Sequence, residues 1–145
     1  MAIKVLEIHH HGVRIGDSDR TLDDLRQFYT GVLGLESDSG RPDIPGIPGM
    51  WMNVGEVGQI HLIGGPSPSR LAQGPGKDPA GPHVALAVAD IVAAKVELDR
   101  MGVSYWSLQG VTGPEAEQIF LTDPCGNMVE LHQADKCRCR LKSRI

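Results

Sequence analysis

The spacing of apolar and polar residues predicts the same order of elements twice along this chain. Each half begins with a strand-like alternation, continues with apolar residues at helical intervals, and ends with two or three short alternating stretches. In the first half the predicted elements are a strand over 5–15, a helix from 18 or 19 to 34, and strands over 50–54 and 59–63. In the second half they are a strand over 83–89, a helix over 90–102, and strands over 104–108, 118–122 and 128–132.

A segment rich in proline and glycine, residues 64–81, joins the two halves. It is longer than most connections inside one compact unit, which indicates a module boundary or a loop over a site. We therefore predict two modules, 1–72 and 73–145, in an α+β fold. Duplicated modules of this kind can form a curved mixed sheet with helices outside and a lined concavity inside.

The two halves also repeat residues that can bind a metal. His10 and His83 each open a stretch that ends at an aspartate seven positions on, and the two stretches are offset by 73 positions (83 − 10). Later in each half, His61 in the first module corresponds to Glu130 in the second. Each module thus carries one early and one late candidate ligand, which predicts a single metal site on a pseudo-twofold axis.

Alternation places these four residues on the faces of their strands that do not pack under a helix. In the strand over 83–89 the bulky residues alternate with His83 and small alanines, and in the last strand Glu130 and His132 share one face. His132 is therefore a candidate acid/base group or a residue that supports the ligands. His9 and His11 are predicted on the helix-packing side, as structural residues.

Other conspicuous residues have plainer interpretations. Trp51 and Trp106 are predicted to be core residues. Arg14, on the same face as His10, could bind a substrate anion or reach solvent, and both readings stay open. The basic tail 136–142 is interpreted as a solvated terminus, and its two cysteines are too few for a zinc site of their own.

Charge and composition exclude several classes of function. A formal net charge of −4 argues against general nucleic-acid binding, which needs a basic face. No apolar run approaches the ~20 residues that a membrane-spanning helix requires. Three cysteines are an odd number for a disulfide framework, which suits a reducing compartment, so we expect a cytoplasmic protein. With nucleic acid and membrane both disfavoured, we expect a small molecule as its partner.

Three imidazoles and one carboxylate suit a divalent ion such as nickel, zinc, manganese or iron. Four protein ligands on an octahedral ion leave two adjacent positions open. A substrate that presents two neighbouring oxygens requires that geometry.

Several segments together resemble the vicinal oxygen chelate superfamily, which includes glyoxalase I, methylmalonyl-CoA epimerase, fosfomycin thiol transferases and extradiol dioxygenases. The matching segments are 8–15, 28–35, 83–90 and 120–131, the last of which reads Phe-Leu-Thr-Asp-Pro-Cys-Gly-Asn-Met-Val-Glu-Leu. The resemblance implies paired βαβββ modules whose first and last strands supply the metal ligands: His10, His61, His83 and Glu130. Glyoxalase I enzymes carry glutamate where His61 stands, so this chain departs from them at one ligand.

The resemblance implies a metal-dependent, glyoxalase-like enzyme that chelates a small substrate through vicinal oxygens. It would catalyse isomerisation or lyase chemistry through an enediolate, with Glu130 as the group that moves a proton. Two alternatives stay open: an extradiol-type ring-cleaving dioxygenase with ferrous iron, and a non-catalytic drug or metabolite binding protein like the bleomycin-resistance relatives. A homodimer is expected, with the site inside one chain or shared between two.

Overall fold

A computed structural model describes residues 3–16, 19–56 and 58–134 of the chain. The basic tail 136–142 lies outside these residues, as does the aspartate at 17 that ends the first repeat. The elements within them follow the predicted order: β1 (Val5–Arg14), α1 (Asp19–Arg26), a π-helical segment (Gln27–Val32), β2 (Glu36–Ser37), β3 (Gly49–Val54), β4 (Gly58–Ile63), β5 (His83–Val88), α2 (Ile91–Met101), β6 (Trp106–Gln109), β7 (Glu117–Thr122) and β8 (Met128–Gln133).

The strands form one open, curled, mixed sheet in the order β2-β3-β4-β1-β5-β8-β7-β6. Within each half the first and last strands pair in parallel, β1 with β4 and β5 with β8. The two halves meet through the antiparallel pair β1 and β5 at the centre. This arrangement confirms the predicted fold of two βαβββ modules around a concavity, and the boundary at 72/73 stays a prediction.

Both helices pack on one side of the sheet. Ile91, Ala94 and Leu98 of α2 form a buried cluster with residues of β5, β7 and β8. Leu22 and Leu25 of α1 pack against a second cluster from β3 and β4. Because side chains alternate along a strand, the neighbouring residues of β4, β5 and β8 point to the opposite, concave side.

The ends of α2 follow the chemistry of its flanking residues. The Asp90 carboxylate accepts hydrogen bonds from the backbone N–H groups of Val92 and Ala93, at 2.9 and 3.0 Å, which satisfies two free donors of the first turn. Gly102 ends the helix in the left-handed conformation, at φ 69°. Both boundaries match the sequence prediction.

The structure differs from the prediction at three elements. The first helix is α-helical only to Arg26 and continues as the π-helical segment, which a helical spacing of apolar residues does not distinguish. The sequence pattern predicts no strand between residues 34 and 50, but Glu36–Ser37 forms the two-residue strand β2, which pairs with β3. Strand β6 begins at Trp106 rather than at 104. Among the described residues, no helix is long and apolar enough to cross a membrane.

Candidate metal centre

The concave face brings His10, His83 and Glu130 together. Nε2 of His10 lies 3.1 Å from Nε2 of His83, and Oε1 of Glu130 lies 3.6 and 3.2 Å from those two nitrogens. All three side chains are buried, and their ligand atoms lie within 4.8 Å of one another. That spacing is close enough for one ion to contact all three.

The hydrogen bond made by Nδ1 of His83 determines whether its other ring nitrogen, Nε2, carries a proton. Its Nδ1 lies 2.7 Å from the carbonyl oxygen of Gly81, which can only accept, so Nδ1 carries the proton. In neutral His83 the Nε2 atom therefore presents a lone pair to Glu130 and His10. Metal-binding histidines commonly have this arrangement, with one ring nitrogen donating outward and the other facing the ion.

A bulge in β1 brings His9 into the same cluster. Opposite β5, Ile8 pairs with Leu86 and His10 with Ala85, so His9 is an extra residue on its strand. The side chain of His9 is fully buried and its Nδ1 lies 2.7 Å from Nδ1 of His10. The sequence interpretation of His9 as a helix-facing residue is wrong at this point, because a bulge breaks the alternation on which it depended. His11, by contrast, is exposed.

His132 and His9 form a layer behind the three clustered residues. Nε2 of His132 contacts Oε2 of Glu130, and the His132 ring stacks on His9 with centroids 4.6 Å apart. Glu130, His10 and His83 line the central pocket, whereas neither His132 nor His9 is among its lining residues. His132 is therefore positioned to orient Glu130 rather than to touch a molecule in the pocket.

His61 lies in the pocket wall between two aromatic rings. It stacks on Trp51 at 4.3 Å and on His10 at 3.7 Å between centroids. Its Nε2 is 2.9 Å from Oε1 of Gln59, and it is not one of the three residues whose ligand atoms cluster within 4.8 Å. The structure thus places His61 beside the cluster, and its role as a fourth ligand stays a prediction.

Gly12 makes room for His83. A Cβ atom at position 12 would lie 2.5 Å from Cε1 and 2.8 Å from Nδ1 of that ring, closer than such atoms approach. The two residues are register partners across β1 and β5. A side chain larger than hydrogen here would push the imidazole out of its place.

Burial and charge set opposite protonation tendencies for the two central histidines. Burial lowers the pKa of His10 to about 3, although the carboxylate of Glu130 opposes this, so His10 is neutral at physiological pH. Burial also opposes the charged form of His83, but the hydrogen bond and negative charge of Glu130 outweigh it and raise the pKa of His83. Burial works against ionised Glu130 as well, yet the neighbouring His132 and His10 hold its pKa well below the usual value.

The pocket above the cluster is built from both modules of a single chain. Trp51 comes from the first half of the chain and Gln118 from the second, while Arg41 comes from the loop between β2 and β3 and Thr112 from the loop between β6 and β7. The proline-rich join also contributes to the wall. It is held by Asp78, whose carboxylate accepts from the backbone N–H and hydroxyl of Ser69 at 2.6 Å each.

Two further residues differ from their sequence interpretation. Arg14 neither lines the pocket nor simply reaches solvent, because its guanidinium donates to the carbonyls of Gly64 and Gly65 at the start of the join. Trp51 is buried as predicted but also lines the pocket.

Sequence reasoning missed Arg41 and Thr112 because no pattern marks these loop positions. For Gln118 the sequence carried a partial signal, because strand alternation places it on the same face as Phe120. The pairing of Phe120 with Glu130, which brings that face to the cluster, is seen only in the structure.

Comparison with known proteins agrees with this architecture. The family model described as Glyoxalase/Bleomycin resistance protein/Dioxygenase superfamily matches residues 7–131. A curated relative, "Glyoxylase I 4" of Arabidopsis thaliana, is 29% identical over 117 residues, which are 80% of this chain and 66% of that protein. The chain thus spans slightly less than two thirds of the length of that relative.

Solved structures share the fold at low identity. Methylmalonyl-CoA epimerase from Mycobacterium tuberculosis has a TM-score of 0.63 and 24% identity, covering 92% of this chain and 91% of that one. A variant of the Streptomyces coelicolor methylmalonyl-CoA epimerase, in complex with 2-nitronate-propionyl-CoA, has a TM-score of 0.61 and 18% identity, covering 90% and 98%. At these identities the likeness concerns the fold alone.

Paired βαβββ modules around a histidine- and glutamate-lined concavity define a class of protein rather than one activity. The family match over most of the chain then identifies the class: this chain belongs to the glyoxalase/bleomycin resistance/dioxygenase superfamily, that is, the vicinal oxygen chelate superfamily.

Proposed function

We propose that this protein is a metal-dependent enzyme that chelates a small substrate through two neighbouring oxygens and moves a proton at an adjacent carbon, as an isomerase or lyase. One observation carries the proposal. Nε2 of His10, Nε2 of His83 and Oε1 of Glu130 converge on one another at the floor of a pocket.

The donor set fits a divalent cation. With Nδ1 of His83 donating to Gly81, its Nε2 and the oxygen of Glu130 would face each other as two lone-pair atoms at 3.2 Å. His10 adds a third once its Nδ1 donates to His9. A proton or a cation must lie among such atoms to offset their repulsion and the cost of burying the carboxylate. Nickel, zinc, manganese and iron all accept this mixture of imidazole and carboxylate ligands.

When bound, the ion would act as a Lewis acid toward the two substrate oxygens. Glu130 is the residue best placed to move the proton, since it is the one carboxylate among the described residues that line the pocket. His132 holds the other oxygen of that carboxylate from behind and acts as a positioning residue. We propose His61 as a fourth ligand, because it lies on the same face and stacks on His10.

An oxygenase is the second candidate function. Two histidines and one carboxylate, here His10, His83 and Glu130, are the ligand set of non-haem ferrous oxygenases. The bound metal and the reaction distinguish the two candidates. A binding protein without catalysis would show neither reaction.

The test uses the purified full-length protein loaded in turn with nickel, zinc, manganese or ferrous iron. We expect exchange of a carbon-bound hydrogen with deuterated water, followed by NMR, for a member of a panel of 2-oxoaldehyde hemithioacetals and 2-substituted acyl thioesters. Glu130→Gln should lower that exchange by roughly 10²-fold or more. Oxygen uptake with catechols, without exchange in the panel, would overturn the proposal in favour of the oxygenase.

We also propose that the protein is a homodimer. Val5, Leu6 and Ile8 of β1 expose 47%, 38% and 63% of their surface, which leaves an apolar patch at the centre of the sheet. Light scattering over a wide concentration range should give twice the chain mass. A constant monomer would refute the dimer but leave the pocket intact, because its lining residues come from one chain.

The cytoplasmic location stays a proposal. Its support is the exposed free thiol of Cys125, which suits a reducing compartment. Fractionation of cells that express the protein tests this, and recovery from a secreted fraction would contradict it.

A further inference from the structure

Three polar atoms in the pocket wall have no hydrogen-bond partner among the described residues: Nε of Arg41, Oγ1 of Thr112 and Oε1 of Gln118. Thr112 and Gln118 are 6% and 7% exposed. All three residues line the pocket that contains the histidine and glutamate cluster. An unsatisfied buried polar atom costs about 1–3 kcal/mol, so three such atoms around one pocket require an explanation.

Arg41 is anchored through two of its five N–H donors. Its Nη1 and Nη2 donate to the carbonyls of Pro42 and Ile47 at 3.2 and 2.8 Å, which anchors the guanidinium in its loop. The Nε–H group is then left for a ligand. Burial lowers the pKa of Arg41, whereas the negative charge of Asp43 opposes this, and the guanidinium keeps its positive charge.

Gln118 lies beside the metal-binding residues. It stands two residues before Phe120 on β7, and Phe120 is the register partner of Glu130. Alternate residues of a strand share a face, so Gln118 and Phe120 point to the side of the sheet on which Glu130 lies. Thr112 comes from the loop between β6 and β7, which is closed by the 2.9 Å bond from Gly110 N to Ala116 O.

These groups define the chemistry of a ligand. A cationic N–H and a hydroxyl can donate to the two oxygens of a carboxylate, and the amide oxygen of Gln118 can accept from a hydroxyl. A phosphate dianion, which carries two negative charges, would need more than one fixed cation in the pocket to balance them. The rest of the wall is largely apolar, with Ile44, Ile47, Leu71 and Val111.

We propose that Arg41, Thr112 and Gln118 form a subsite for a small hydroxylated carboxylic acid with an apolar side chain. The carboxylate accepts from Arg41 and Thr112, and the hydroxyl donates to Gln118, so the hydroxyl oxygen and a carboxylate oxygen each keep a lone pair for the ion. The apolar part lies against the isoleucine and leucine wall. This assignment rests on the proposed function, since it names the class of substrate that the same pocket takes.

The test is a binding titration with the purified protein, monitored by quenching of tryptophan fluorescence, since one of its two tryptophans, Trp51, lines the pocket. The probes are 2-hydroxyisovalerate, its primary amide, and isovalerate, which lacks the hydroxyl. The variants are Thr112→Val and Gln118→Leu, with Thr122→Val and Gln109→Leu as controls at exposed positions. Arg41→Lys is added, but Thr112→Val and Gln118→Leu decide the outcome if loss of its two carbonyl bonds unfolds the loop.

We expect the acid to bind at least about tenfold more tightly than the amide, the effect of losing one charged hydrogen bond. Thr112→Val should weaken binding of both acids about tenfold, whereas Gln118→Leu should weaken only the hydroxy acid. The control variants should bind as the wild type does. Equal binding of acid and amide, unchanged binding in both pocket variants, or absence of saturable binding would each overturn the subsite.

Failure of the subsite and failure of the proposed function give different results. Elemental analysis of the same protein sample reports whether an ion is bound, independently of the probe titrations. Acid-selective binding in a protein that takes up no ion would support the subsite while refuting the metal-dependent function. A bound ion together with equal binding of the acid and the amide would support the metal-dependent function while refuting the subsite.

Discussion

Gly12→Ala tests whether the position of His83 determines metal binding. The added Cβ would lie 2.5 Å from Cε1 and 2.8 Å from Nδ1 of His83, whereas non-bonded carbon atoms normally approach to about 3.5–4.0 Å. The ring must therefore move by roughly 1 Å, while metal–ligand distances tolerate only about 0.2 Å. The movement also strains the 2.7 Å bond from Nδ1 to the Gly81 carbonyl and the 3.2 Å contact with Glu130.

We expect Gly12→Ala to weaken metal binding by about 10–100-fold, the range seen when groups that orient a ligand are disturbed. The free energy of unfolding of the metal-free protein should fall by about 1–3 kcal/mol, as for other overpacked sites. Competition with a fluorescent zinc chelator measures the affinity, and denaturant titration measures the stability. Gly113→Ala is the matched control, since the nearest atom to its Cβ would be 3.9 Å away.

A double-mutant cycle adds a stricter condition. If Gly12→Ala acts through His83, then adding His83→Ala to it should cost much less affinity than His83→Ala costs in the wild type. Wild-type affinity in Gly12→Ala, or full additivity of the two changes, would refute the reasoning.

Three further predictions follow from the centre and its support. Because the pKa of His83 is raised and an ion must displace its proton, metal affinity should fall by about tenfold per pH unit below that pKa and level off above it; pH-independent affinity in chelator competition would contradict this. His132→Phe keeps a ring but loses the contact with Glu130, so metal affinity or turnover should drop by about 10–100-fold, whereas the exposed His11→Phe should change neither. Asp90→Ala removes the cap of α2 and should lower the free energy of unfolding by about 1 kcal/mol in denaturant titration without changing metal affinity.

The fold was largely predictable because local patterns and the repeat agree. Alternation in β5 and β8 placed His83 and Glu130 opposite the helix-packing residues, and Asp90 and Gly102 marked the ends of α2. The repeat offset then placed His10 in the equivalent strand. Each of these inferences uses residues close in sequence, where side-chain direction follows from strand or helix period.

The rest of the site depends on features that the sequence pattern does not carry. The bulge that turns His9 inward arises from the register between β1 and β5, and a strict alternation predicts the opposite direction. Arg41 and Thr112 reach the pocket from loops whose paths depend on long-range packing. The spacing of two residues places His132 on the same face as Glu130, but their direct contact is seen only in the structure.

Metal stoichiometry tests the central claim most directly. Elemental analysis of the purified protein after loading and desalting should give one divalent ion per chain. Alanine replacement of His83 should abolish this occupancy, and His11→Ala, at an exposed position two residues from the bulge, should leave it unchanged. Full occupancy in His83→Ala, or absence of a bound ion in the wild type, would contradict the account.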